Sequence, residues 1–498
     1  MKPQVYILTA LLVHGSLCVC AQQTTYFEVL DGTWENGNNW TYHVIPTITN
    51  AVNVTFNGRV VRITQPGAIC TNLCAGYSLG EEGSVYLTTG SLYTATSQNI
   101  GRSGRGTFVQ SEGTTNRYGG SYLVLGEQTS GNGRYELLGG YLGPNGSATE
   151  LNVGYNGTGV FYQAGGTLDE IYSDKYLYLG RAATGNGTYL MTQGEIQFTN
   201  KTYISIGHLG TGSFIQSNGV VTVAKIVNVG KENGGKGTYQ LAGGKISSGQ
   251  FTIGEKASAT GSAAIQAGDF TTTSEGLDVG YYGTGLVWQS GGTITLKKYL
   301  YIGRTTGSRG RYIMTGGDLA LTNDNNHMYI GESGYGALIQ SNGSVRVKNW
   351  CTLARRNGST GHYRLTGGSL TVGGQLQVSE EPNTQARLEI VGTNGTITCS
   401  SFAATSNAVV RFEIATNGVS KINVQNAATL AGTLEVAIPY RSFNAPVTLF
   451  SVGSRSGSFA SVVPIFPLKS VTITYPTGAG HVTLSNFRYY TATVITIQ

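Results

Sequence analysis

The sequence predicts an all-β fold, a parallel β-helix (β-solenoid) of about 13 coils of ~25 residues each. Three observations lead there. A hydrophobic-x-hydrophobic-Gly anchor recurs at Gly80, Gly101, Gly126, Gly154, Gly180, Gly207, Gly230, Gly254, Gly280, Gly303 and Gly331, with Ala354 and Ser379 where the next two would fall. Glycine makes up 74 of 498 residues, roughly twice the ordinary ~7% share, as a chain of many tight turns requires. Runs such as Tyr203-Ile-Ser-Ile and Tyr299-Leu-Tyr-Ile alternate apolar and polar residues between Gly or Asn-Gly breaks, and no stretch carries helical periodicity with caps. At ~4.8 Å per strand the rod would be roughly 60 Å long. Right-handed winding is the default for parallel crossovers.

In chain order, residues 1–21 read as a signal peptide: Lys2 as the positive region, a mostly apolar run over 5–13, and Val19-Cys20-Ala21 as a small-residue cleavage site. Residues 22–75 read as an N-terminal β cap in which Trp34 and Trp40 cover the first open core layer. Residues 76–392 carry the repeats, and 393–498 form a C-terminal β module that extends or caps the rod. No later stretch approaches the ~20 apolar residues of a membrane-spanning helix. The net charge of +6 comes without a Lys/Arg run, so nucleic acid is not an expected partner. Cys70, Cys74, Cys351 and Cys399 are no disulfide framework at this length. Cys70 and Cys74 could bridge only across a turn, whereas Cys351 and Cys399, about two coils apart, are expected to be buried thiols.

The coils are of two kinds that alternate, so the true unit is about 50 residues. Counted back from the glycine that ends each core strand, the fifth residue is aromatic or aliphatic: Phe108, Tyr135, Phe161, Tyr189, Phe214, Tyr239, Val287, Tyr312, Leu338 and Tyr363. The third is Leu or Met in long coils (Leu137, Met191, Leu241, Met314, Leu365) and Gln in short ones (Gln110, Gln163, Gln216, Gln289, Gln340). Both positions point inward if side chains alternate. The glutamines are then either a ligand-contacting row or core residues with backbone partners that pin coil registry. An extra coil at Ala263-Ala-Ile-Gln-Ala-Gly268 breaks the alternation.

One residue past each anchor stands a second ladder, Glu81, Arg102, Glu127, Tyr155, Arg181, His208, Lys231, Glu255, Tyr281, Arg304, Glu332 and Arg355. Stacking would set Glu81-Arg102-Glu127, Lys231-Glu255 and Arg304-Glu332-Arg355 side by side, each pair favoured by ~0.2–1 kcal/mol; their role is then registry, with a binding stripe as the alternative. On the outer face, the fourth residue back is mixed in long coils (Glu136, Leu190, Gln240, Ile313, Arg364). In short coils it is always apolar: Val109, Tyr162, Ile215, Trp288 and Ile339. Tyr162 and Trp288 are therefore candidate ligand-binding residues, since exposed rings suit stacking on sugars or a partner surface.

The acids and histidines are the side chains that could carry chemistry. Asp169-Glu170 with Asp174 and Lys175 is the densest group, on a loop between coils. Asp324-Asn-Asn-His327 supplies a single carboxylate where Ca²⁺ needs several oxygens, and Glu380-Glu381 before Pro382 reads as a turn. Histidines 43, 208, 327, 362 and 481 lack metal-ligand spacing. No catalytic residue, metal site or cofactor is expected. The Gly-x-Gly motifs are turn chemistry, as are the recurrent Asn-Gly-Thr/Ser triplets.

The Leu/Ile-x-Ile/Val-Gly anchors, Gln-Ser-x-Gly short coils and Tyr-x-Leu-x-Gly-Gly long coils resemble the β-strand repeats of autotransporter passengers and PEP-CTERM-associated exported proteins of Gram-negative bacteria. Trp34-Glu-Asn-Gly-Asn-Asn-Trp40 resembles their opening, and Leu430-Ala-Gly-Thr-Leu-Glu-Val436 with Gly457-Ser-Phe-Ala-Ser-Val462 their C-terminal module. The resemblance implies a secreted or cell-surface protein, many of whose kind are adhesin-like. It departs from the pattern in showing no Pro-Glu-Pro sorting signal and no translocator barrel within the last hundred residues. The leading expectation is a non-enzymatic structural or adhesin-like scaffold whose partners are extracellular polysaccharide or cell-surface components. Alternatives are a carbohydrate-binding surface protein and a polysaccharide lyase or glycosidase of the parallel β-helix type.

Overall fold

A computed structural model describes residues 23–55, 58–111, 115–118, 122–144, 150–169, 176–439 and 443–490. The segment read as a signal peptide lies outside them. The chain is 62% strand and 1% helix and winds into a parallel β-solenoid of about 17 turns. At ~4.8 Å per turn that is a rod about 80 Å long.

A central coil shows the plan. Thr284–Gln289 lies on a front ladder, Thr293–Leu296 on a second and Tyr299–Ile302 on an anchor ladder; a glycine turn then starts the next coil at Arg309–Met314. Each strand pairs in parallel with its equivalent one coil on, with Val287 opposite Tyr312, Ile294 opposite Leu319 and Leu300 opposite Met328. Alternation puts the apolar member of each pair inward, so Val287, Ile294, Leu300 and Ile302 are all buried.

The coil count exceeds the 13 expected because parallel stacking continues where the repeat signature stops. Gln23–Tyr26 already pairs with Asn50–Val54, and Thr433–Ala437 still pairs in parallel with Ser461–Ile465. The signature depends on glycine, whereas the ladder needs only alternation. On the front ladder Gly361 is followed by Ala386 and then Ala408 without loss of register. At one end Trp34 and Trp40 are buried edge to face at 4.9 Å, and Trp40 Nε1 donates to the Trp34 carbonyl at 2.9 Å. At the other end Gly480–Tyr489 pairs antiparallel with Val447–Gly457 and with Leu468–Thr474, which occupies the open strand edge.

The core is a stack of rings. Phe108, Tyr135, Phe161, Tyr189 and Phe214 lie with centroids 4.7–4.9 Å apart and planes within 9° of parallel. All five glutamines of the short coils are fully buried. Each accepts from the tyrosine of the following long coil: Tyr135 Oη to Gln110 Oε1 at 2.6 Å, Tyr189 to Gln163 at 2.6 Å, Tyr239 to Gln216 at 2.8 Å, Tyr312 to Gln289 at 2.6 Å, and Tyr363 to Gln340. The amide nitrogens donate to the backbone. Gln289 Nε2 reaches the carbonyls of Gly292 (3.3 Å) and Asp318 (3.0 Å), and Gln163, Gln216 and Gln340 repeat that pattern. Burial drives the hydroxyls of Tyr189, Tyr239 and Tyr363 far above their ordinary titration range, so they remain donors. Of the two readings open in the sequence, the glutamines are core residues with backbone partners.

The extra coil interrupts the ring stack, since Ala263 follows Tyr239 on the front ladder. Two rings from the other ladders take up the space: Phe251 lies 5.4 Å from Tyr239 and 4.8 Å from Phe270. The four cysteines among the described residues are free and buried, Cys70 and Cys74 within one strand, Ala68–Ala75.

Two glycine rows are forced. The anchors adopt left-handed backbone, as in Gly254 (φ 69°), and Ala354 (φ 51°) and Ser379 (φ 66°) hold the same conformation where the row departs from glycine. The front-strand glycines are needed for space instead. A Cβ on Gly285 would press on the Gly280 nitrogen, 2.8 Å from Val279 C and 2.9 Å from Ile253 O. Gly307 (φ 83°) has nothing within 4 Å of such an atom. Gly307→Ala is therefore expected to cost about 1–2 kcal/mol, from backbone conformation alone. Gly285→Ala should cost about 3 kcal/mol or more, because backbone of two coils must separate. Denaturation midpoints of the two variants check the order; equal losses would contradict it.

Candidate functional site

The front ladder presents its outward residues as a column. Its register runs Val109, Glu136, Tyr162, Leu190, Ile215, Gln240, Ala264, Trp288, Ile313, Ile339, Arg364. From Tyr162 to Ile339 eight consecutive rungs carry no charge, a stripe about 34 Å long at ~4.8 Å per rung. Glu136, which bonds Arg134 at 2.6 Å, bounds it at one end, and Arg364 at the other. Tyr162 and Trp288 thus share one face, but they stand five rungs, about 24 Å, apart and form no common pocket. Tyr162 is half-buried, and Trp288 is 53% exposed.

Trp288 stands out because of its neighbour. The preceding rung is Ala264, beside Ser262, and their small side chains leave a depression of about 250 Å³ bounded by Ile215, Gln240, Leu286 and the indole. A second hollow, about 280 Å³, lies on the other side of the indole over Gln266, Ser290 and Thr315. No charged side chain lines either one.

The anchor ladder carries a surface that sequence reasoning missed. Tyrosines at alternate positions of successive strands pile into two aromatic patches. In one, Arg181 lies 5.0 Å from the Tyr155 ring and 4.7 Å from Tyr178, and bonds Glu150; Tyr176 stacks on Tyr203 at 4.7 Å. In the other, Arg304 packs 4.5 Å from Tyr281 and 4.6 Å from Tyr301, and bonds Asp278 at 3.0 Å. Beyond it, Tyr301 stacks on Tyr329 and His327 meets Trp350. The signal was present in Tyr176-Leu-Tyr178 and Tyr299-Leu-Tyr301, whose period-two tyrosines meet Tyr203, His327 and Tyr329 only once the coils are stacked.

The charge ladder forms in part. Arg102 bonds Glu127 at 3.1 Å and Arg355 bonds Glu332 at 3.0 Å. Arg304 turns to Asp278 instead of Glu332, because that carboxylate is fully buried and needs a counter-charge. Burial still pushes Asp278 up to about 6, although Arg304 and Gln250 pull the other way. Glu81 accepts from the Ser78 backbone N–H at 2.7 Å, and Lys231 lies over Tyr176. His208 is pushed down to about 4 by burial first and by Lys231 second.

Residues 170–175 of the Asp169 loop lie outside the described residues; Asp169 itself accepts from Tyr141 Oη at 2.8 Å. Asp324 is bound by Lys348 at 2.6 Å, and Glu380 and Glu381 pair with Arg355 and Arg356. Among the described residues no three His, Cys, Asp or Glu side chains are grouped to hold a metal ion. Among the described residues, too, no helix is long and apolar enough to cross a membrane.

Further along the front ladder, Glu389 is nearly buried among His362 Nε2 (3.3 Å), Arg364 (3.5 Å) and Arg387 (2.6 Å). Arg387 also holds Glu435 at 2.6 Å. The close approach of the His362 imidazole above all, and then Arg387, hold the Glu389 carboxyl down at about 2. A depressed carboxyl stabilises the fold above its unfolded value near 4.5, and that contribution is lost as pH falls towards 2. Glu389→Gln is therefore expected to lower the thermal midpoint at neutral pH and to flatten its fall between pH 4.5 and 2. A variant with the wild-type acid limb would contradict the assignment.

Compared with known proteins, the chain matches no family model, no curated protein and no solved structure.

Proposed function

We propose that this chain is an exported, non-enzymatic β-solenoid that serves at or beyond the cell surface as an adhesin-like scaffold. The observation that carries the reading is the uncharged column on the front ladder, eight rungs held in fixed register from Tyr162 to Ile339. A rod of stacked coils is stiff along its length, and a stripe of apolar side chains on such a face suits contact with an extended partner. The amino-terminal pattern around Lys2, residues 5–13 and Val19-Cys20-Ala21 supports export.

The charged side chains point the same way. Arg102, Arg304, Arg355, Glu332, Asp278 and Glu389 are engaged with partners on neighbouring coils, where they tie rung to rung. A general acid and base would instead have to flank a bound substrate across a cleft. The exposed indole of Trp288 favours a second reading, carbohydrate binding, within the same scaffold role.

Purified protein spanning residues 22–498 is expected to bind isolated cell envelopes or extracellular matrix material saturably. It should also release no new reducing ends and no unsaturated products from a panel of neutral and acidic polysaccharides, with or without Ca²⁺. Robust product formation, or the absence of any saturable binding, would overturn the proposal.

A further inference from the structure

We propose that Trp288 and the hollows flanking it are a binding subsite for a neutral polysaccharide chain that crosses the front ladder at the indole. The inference rests on the scaffold reading above and specifies the ligand of its front face.

Four observations converge on it. The indole is 53% exposed in the middle of a flat parallel ladder, where a planar ring can lie against the C–H face of a pyranose. It is the wall between the hollows of about 250 Å³ and 280 Å³, so a chain crossing it has room on both sides. The rims carry hydroxyls and amides: Thr238, Ser262 and Gln240 on one side, Gln266, Ser290 and Thr315 on the other. Gln240 Nε2 donates to Gln266 Oε1 at 2.8 Å, which leaves an amide oxygen on Gln240 to accept and N–H groups on Gln266 to donate, as sugar hydroxyls require. Finally, no Asp, Glu, Lys or Arg lines either hollow. Uronates or sulfated sugars would find no counter-charge there, whereas an uncharged glycan gives up little on desolvation.

The direction of the chain follows from the hollows, one over Thr238 and Ser262, two residues before the outward column, and the other over Gln266, Ser290 and Thr315, two residues after it. Ile215 lies on one side of the indole and Ile313 and Ile339 on the other, in the same column.

The hollow is not a packing fault. It opens at the extra coil, where Ala263 and Ala264 replace larger residues. Inside, Phe251 and Phe270 restore the core next to Tyr239. Outside, the space over Ala264 is left open beside the one exposed indole of the column.

The test is affinity electrophoresis of the full mature chain in gels containing a neutral β-glucan, a neutral galactomannan, pectate or alginate, with turnover assayed in parallel. Retardation by a neutral glycan and not by the acidic ones is expected. Trp288→Ala should weaken it about tenfold or more, as should Ala264→Arg, which fills the hollow. Trp288→Phe should keep most of it, and Lys469→Gln, in the C-terminal strand Leu468–Thr474 away from the column, should leave it unchanged. Circular dichroism checks that each variant is folded. Wild-type retardation of a folded Trp288→Ala variant, a preference for pectate or alginate, or no retardation by a neutral glycan would each overturn the subsite. Saturable envelope binding that survives such a result would leave the scaffold reading standing, whereas product formation would remove both.

Discussion

The buried hydrogen bond between the tyrosine of one coil and the glutamine of the coil before it is the constraint on which the register of this rod depends. A solenoid core is otherwise nearly degenerate, since apolar layers of similar size can stack in any order. Five glutamines enclosed in that core change the problem. A buried amide without partners costs ~1–3 kcal/mol, while its satisfied bond returns only ~0.5–1.5 kcal/mol. The row therefore adds little to stability and much to discrimination. A coil skipped or slipped in the regular region would set Gln against Gln and leave tyrosine hydroxyls without acceptors. The second bonds, from each amide to carbonyls of its own turn and of the following coil, fix the turn geometry together with the stacking order.

The glycine rows and the ring stack follow from the same spacing. Phenyl and phenol rings lie parallel because the coils that carry them are one strand spacing apart. At front-strand glycines such as Gly285 a Cβ would press on the backbone of the anchor turn, whereas the coils of Ala386 and Ala408 accommodate one in the same row. Where the alternation fails, at the coil of Ala263, the molecule refills its interior from the other two ladders and leaves its exterior hollow. A lapse in the repeat thus becomes the most distinctive place on an otherwise repetitive surface, between two hollows and beside an exposed indole.

Much of this was legible in the residues, and the failures have physical causes. Counting back from the terminal glycines placed Phe108, Tyr135 and the glutamines inward, and it set Tyr162 and Trp288 in one outward column, because period-two alternation survives any detail of the turns. The total number of coils was not legible. Beyond Gly361 the row continues as Ala386 and Ala408, and strands can stack without the glycine that announced them. The charge ladder was legible for Arg102 and Arg355 but not for Arg304, whose partner Asp278 sits within the preceding anchor strand and not at the matching turn position. The tyrosine patches and the Trp288 hollow needed the stacked coordinates, since each is made by residues that meet only across coils.

The measurement that bears most directly on this account is a double-mutant cycle on Gln289 and Tyr312, read by equilibrium denaturation of the full chain. Gln289→Leu and Tyr312→Phe each strand the other's polar group in the core, and each is expected to cost about 1–3 kcal/mol. Together they remove both partners, so the double variant should lose less than the sum, with a coupling of about 1 kcal/mol or more. Strictly additive losses, or a Gln289→Leu variant as stable as the wild type, would show that the buried pair does not hold the coils in register.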